Sequence, residues 1–119
     1  MTNEEQAQLD AWRAAMLSDL QGSDGALATR ALLALTYDDP DRRRIEVILL
    51  DCLSPEADAQ IRALAVTCMG HVGRIHRAVS VDVKHRLEGL LDDPILGGRA
   101  EDALDDIESF ANGRLNPPS

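Results

Sequence analysis

His71 and Arg74 stand three residues apart, and Thr67 lies one turn before His71, so on a helix the three share a face. Gly70 and Gly73 flank the histidine and leave room for a neighbouring backbone or a ligand to come close. One reading is a polar site in a groove. The other is a buried His and Arg hydrogen-bonded to carboxylates of the next helical unit, with Asp102 or Asp105 as the natural partners, because a buried arginine must be paired.

The second constellation is anionic. Between Gly98 and Ala111, the residues Ala100, Ala103, Leu104, Ile107, Phe110 and Ala111 recur at helical period as one apolar stripe. Glu101, Asp102, Asp105, Asp106 and Glu108 then fall on the remaining surface. One short helix thus offers a dense anionic face to water or to a partner.

Catalytic chemistry finds little support. His71 and His76 are five residues apart and diverge by about 140° on a helix, which is not metal-ligand spacing, and His85 adds none. Cys68 could share a face with His71, but it belongs to an apolar stripe, and a buried thiol is a poor nucleophile. Gly97-Gly98 is a lone pair and reads as a helix break, not a phosphate-binding loop. The acidic cluster lacks the loop spacing of a calcium site. No catalytic residue, metal or cofactor is expected.

The elements that must position these groups are helical. Hydrophobic residues make up 45% of the 119, mostly Ala and Leu, and Trp12, Tyr37 and Phe110 are the only aromatics, so strand formers are scarce. Asn3 with Glu4 and Glu5 starts a first helix with Leu9, Trp12, Ala15, Met16 and Leu20 on one face, ended by Gly22–Gly25. A second, about 26–36, turns Leu27, Ala31, Ala34 and Leu35 inward. After the turn at 38–41 a third carries Ile45, Ile48, Leu49 and Cys52. Ser54 and Pro55 are read as cap and first residue of a fourth, whose stripe runs Ile61, Leu64, Ala65, Cys68, Met69, Val72, Ile75. Ser80 opens a fifth, with Val83, Leu87, Leu90 and Leu91 inward. Asp93-Pro94 opens a sixth unit, which ends at Asn112-Gly113. The expected organisation is one helical-repeat domain over 1–113 and a flexible tail over 114–119.

Net charge is −9, from 12 Lys and Arg against 21 Asp and Glu. Neither a nucleic acid nor an anionic membrane surface is therefore expected as a ligand, and a basic protein is the partner this charge attracts. The charge is segregated: residues 62–86 hold five bases against Asp82, whereas 92–108 hold seven acids against Arg99. The first residues lack a basic and apolar leader, no window is apolar enough to span a bilayer, and Cys52 and Cys68 read as reduced thiols, so the cytoplasm is the expected compartment.

The chain repeats itself. Arg30-Ala31-Leu32, Arg62-Ala63-Leu64 and Arg99-Ala100-Glu101 recur at intervals of 32 and 37 residues, and Leu49–Pro55 resembles Gly89–Pro94. Helical pairs at this period stack on one another. The phrase Asp58-Ala59-Gln60-Ile61-Arg62-Ala63-Leu64-Ala65 is similar to the HEAT signature, and the resemblance spans about residues 24–111. It implies an all-α fold, a short right-handed α-solenoid of about three HEAT-like units. A narrower likeness joins Thr67–His76 with Gly98–Ile107. These phrases resemble small helical immunity proteins of contact-dependent inhibition and polymorphic toxin systems, which bind a cognate toxin domain and block it. The resemblance implies a non-enzymatic inhibitor of a basic toxin domain that uses Glu101, Asp102, Asp105, Asp106 and Glu108, with His71 and Arg74 beside them. A general HEAT-like scaffold for protein assembly is the alternative, and self-association is left open.

Overall fold

Among the described residues, five of six α-helices begin on a side chain that takes up their free amide groups. The caps are Thr2, Asp24, Asp41, Asp58 and Ser80, and the first is a reciprocal capping box with Glu5. Each such cap stabilises its helix by about 1 kcal/mol. The computed structural model describes residues 1–112. It holds α1 (Asn3–Gln21), α2 (Gly25–Asp38), α3 (Arg42–Asp51), α4 (Ala59–His76), α5 (Val81–Gly89), α6 (Gly97–Ile107) and a π-helical turn, Glu108–Asn112. The protein is all-α, with no strand among the described residues. The expected tail over 114–119, and Gly113 of the proposed C-cap, lie outside the described residues.

Several boundaries differ from the sequence reading. Thr2, not Asn3, caps α1. Ser54 accepts from the Ala57 amide in a tight turn, and Asp58 caps α4 instead. Asp93 accepts the amides of Ile95 and Leu96, which holds its carboxyl below the usual range, and the helix proper starts only at Gly97. Gly97-Gly98 is therefore the first turn of α6, not a break. A Cβ at Gly97 would stand 2.5 Å from the Leu91 carbonyl oxygen, so the loop before the helix requires glycine there. Leu27, Ile75 and Leu91, expected inward, are each about two-fifths exposed, and Ala15 is exposed.

The chain divides into two compact units, Met1–Asp39 and Pro40–Ser119. In the first, α1 buries no residue fully, and Leu9, Trp12, Met16 and Leu20 are half-buried. Helix α2 buries Ala28, Ala31, Leu32, Leu35 and Thr36. The two helices are tied by Arg13, whose Nε and Nη2 each donate to the Asp39 carboxylate at 2.8 Å. That carboxylate is wholly removed from water.

In the second unit, α3 packs on α4, α5 on α6, and α4 on α6. Val66, Cys68, Met69 and Val72 of α4 are fully buried, as are Ala100 and Ile107 of α6. The apolar girth of α4 is thereby explained: neighbours cover it on more than one side. Glu46 of α3 is also buried. It accepts from Arg42 at 2.7 Å and from the Ser80 amide at 2.9 Å, so one carboxylate joins α3 to the start of α5.

Gly70 and Gly73 decide how closely α4 and α6 approach. A Cβ at Gly70 would lie 3.0 Å from Ala103 Cα, and one at Gly73 would lie 2.7 Å from Ile107 Cγ1 and 3.2 Å from its Cα. The neighbouring backbone thus fills the room left by these glycines.

These contacts set the stability expected of three variants. Arg13→Ala should lower unfolding free energy by about 3–5 kcal/mol, because it removes a guanidinium that offsets the charge of a buried carboxylate. Gly73→Ala should cost about 1–3 kcal/mol by forcing α6 away. Gly98→Ala, where a Cβ meets nothing within 4 Å, should be neutral or stabilise by up to about 1 kcal/mol. Urea titrations of the three variants check the order.

Candidate functional site

The α4–α6 contact sets the geometry of every residue singled out by sequence. Because Gly70 has no side chain, the Asp106 carboxylate settles against α4, with Oδ2 3.3 Å from where a Cβ would stand. Asp106 is accordingly half-buried. About two turns toward the start of α6, Arg99 Nη1 donates to Thr67 Oγ1 at 2.9 Å. The sequence reading missed this contact, although Arg99 was the lone base in the acidic stretch and Thr67 was already placed on the right face.

Thr67, His71 and Arg74 do share a face of α4 and are all half-buried. Arg74 Nη2 lies 2.9 Å from His71 Nδ1. A guanidinium only donates, so Nδ1 accepts and the proton of the neutral ring sits on Nε2. Partial burial and the adjacent Arg74 charge hold the imidazole below its ordinary 6.5, against a smaller upward pull from Asp106. The carboxylate whose field reaches His71 is thus that of Asp106, where sequence reasoning named Asp102 or Asp105.

The other four acids face water. Glu101, Asp102 and Asp105 of α6 and Glu108 of the following turn are exposed. None of them forms an ion pair or hydrogen bond through its side chain among the described residues. A cleft of about 620 Å³ opens along this face, lined by Thr67, Ile95, Arg99, Glu101, Asp102 and Asp106. Ile95, at its edge, is 82% exposed. Sequence pattern could not find Ile95, since an apolar residue next to buried Leu96 reads as core.

The two thiols are buried and form no disulfide among the described residues. Burial, Asp51 and Cys68 push the Cys52 thiol up to about 11, so it is protonated and weakly nucleophilic at neutral pH. Among the described residues no three His, Cys, Asp or Glu side chains come together to hold a metal ion, and no helix is long and apolar enough to cross a membrane. No family model matches the chain, and neither a curated protein nor a solved structure matches it.

The His71 geometry has a pH consequence. The unfolded chain takes up the imidazole proton before the folded one does. The stability carried by the neutral ring is therefore intact above 6.5 and is lost as pH falls below it, where protonation also ends the hydrogen bond accepted from Arg74. Denaturant midpoints between pH 7.5 and 5 should fall more steeply for the parent than for His71→Gln. Parallel curves would show that His71 does not couple to folding.

Proposed function

We propose that the chain is a non-enzymatic protein-binding module whose α6 surface covers a basic region of a partner protein. One observation carries this reading. Glu101, Asp102 and Asp105 stand exposed along α6 with Glu108 just beyond it. Asp105 lies in the last turn, where the helix dipole disfavours negative charge, and that turn holds no base. Each misplaced charge costs a surface helix about 0.3–1 kcal/mol. Glu101 and Asp105, like Asp102 and Asp106, are also like-charged pairs four residues apart, which adds a few tenths of a kcal/mol each. A face that opposes its own helix has a use outside the fold.

The resemblance of 67–76 and 98–107 to toxin-system immunity proteins supplies the partner class: a secreted bacterial toxin domain with a basic substrate cleft, as in a nuclease. On this reading inhibition is occlusion. Glu101, Asp102, Asp105 and Glu108 steer the toxin in, Ile95 supplies an apolar contact beside them, and Asp106, Arg99, His71 and Arg74 hold the surface in shape. The HEAT-like repeat is the scaffold that presents it.

The test is co-purification from the native host with identification of the partner, followed by association kinetics with that purified partner. Asp102→Lys with Asp105→Lys should slow association about tenfold or more and leave dissociation less affected. The parent's on-rate should fall as salt rises from about 0.05 to 0.5 M. An unchanged on-rate and no salt dependence would refute docking through this face.

A further inference from the structure

We infer that His71 is a latch worked by pH: its neutral ring holds the Arg74 guanidinium, and its protonated ring releases Arg74 and pairs with the Asp106 carboxylate of α6. Geometry makes the two states exclusive. Arg74 Nη2 stands 2.9 Å from His71 Nδ1, and a guanidinium only donates, so the bond exists only while Nδ1 is bare. A proton from solvent that lands on Nδ1 sets two N–H donors and two positive charges face to face. Arg74 is half-buried, and its long side chain can carry the guanidinium out into water. The imidazolium has an anion near it. His71 follows Gly70 in the chain, and at Gly70 the α6 backbone and the Asp106 carboxylate come against α4. The partner of the second state is therefore in place before the proton arrives.

The titratable groups around the ring come from α4 and from the elements packed on it. On α4 they are Arg74 and, one turn before His71, the buried Cys68 thiol. Helix α6 brings Asp106, and the π-helical turn brings Glu108, which is exposed. Helix α3 ends in its cap Cys52, whose thiol lies within the field of Cys68. Arg74 opposes the proton on the ring and Asp106 favours it. The state of the latch also reaches the cleft on α6. Glu101, Asp102 and Asp106 are the carboxylates that line it, and pairing with the imidazolium takes up the last of them. On the function proposed above, acid then weakens the hold on a basic partner. That consequence rests on that reading, whereas the latch itself is read in the free protein and stands or falls separately.

Nuclear magnetic resonance of the whole chain between about pH 7.5 and 5 tests the latch, through the ring nitrogens of His71, the Arg74 guanidinium and the Asp106 carboxyl carbon. At the upper end the ring proton should sit on Nε2, with Nδ1 bare. As the ring takes up its second proton, the protected N–H signals of Arg74 should be lost and the Asp106 carbon should shift, both at the ring's own midpoint. Asp106→Asn should lower that midpoint by about half a pH unit or more, and Arg74→Met, which keeps an apolar stem, should raise it by a similar amount. An unchanged helical circular dichroism spectrum checks that each variant folds, and the parent's own signals decide the matter where one does not. Arg74 signals indifferent to the His71 midpoint overturn the inference. So does a ring protonated on Nδ1 at the upper end, or a midpoint that Asp106→Asn leaves in place. Release of Arg74 with no response at the Asp106 carbon would show that no handover occurs, and overturns it as well.

Discussion

The close approach of α4 and α6 is the constraint on which the site depends. Two glycines on α4, one turn apart within a helix that otherwise favours larger residues, let the α6 backbone settle against it at Ala103 and Ile107. Glycine costs a helix interior roughly 1 kcal/mol relative to alanine. That loss is offset by dispersion contacts between fully buried Met69, Val72, Ala100 and Ile107, which a wider spacing would forfeit. The same approach draws the Asp106 carboxylate into the His71 field and sets Arg99 within reach of Thr67.

Position relative to that contact sorts the charges of α6 into two groups. Arg99 and Asp106 point along α4 and find polar neighbours there. Glu101, Asp102 and Asp105 are exposed to water, the first two at the cleft that Arg99 and Asp106 also line. Helical geometry turns Glu101 and Asp105 away from that face, whereas Asp102, three residues from Arg99 and four from Asp106, lies at its edge. The acidic run is therefore not one feature. Part of it orders the groove, and the rest is an unneutralised field at the surface.

Fold class was legible because it rests on local signals. Apolar residues at 3.6 period and scarce strand formers settle on helices, and the cap at Ser80 is a single-residue device. What misled were residues whose local preference loses to a neighbour. Ser54-Pro55 is a good helix start, yet Asp58 caps α4 because the chain first makes a tight turn through Ala57. Leu91 continues the periodic pattern of α5, but the helix has already ended at Gly89, so the spacing no longer describes its direction. The glycines at 70 and 73 announced a close approach. That the approaching atoms belong to Ala103 and Ile107 is a long-range fact, and no spacing within α4 encodes it.

The buried ion pairs follow a similar logic. Asp39 and Glu46 are both nearly free of water, and each accepts from an arginine, yet they do different work. Asp39 is held by a side chain 26 residues earlier and so joins α1 to the end of α2. Glu46 is paired within its own helix and spends its remaining capacity on the Ser80 amide 34 residues later. A buried ion pair gains little over apolar residues of the same size, since desolvation consumes most of the attraction. A carboxylate that also receives a backbone amide at a helix entrance specifies where that helix must begin. Glu46 therefore sets the start of α5, and through it the exposed positions of Val81 and Asp82, which an apolar residue at 46 would leave undetermined.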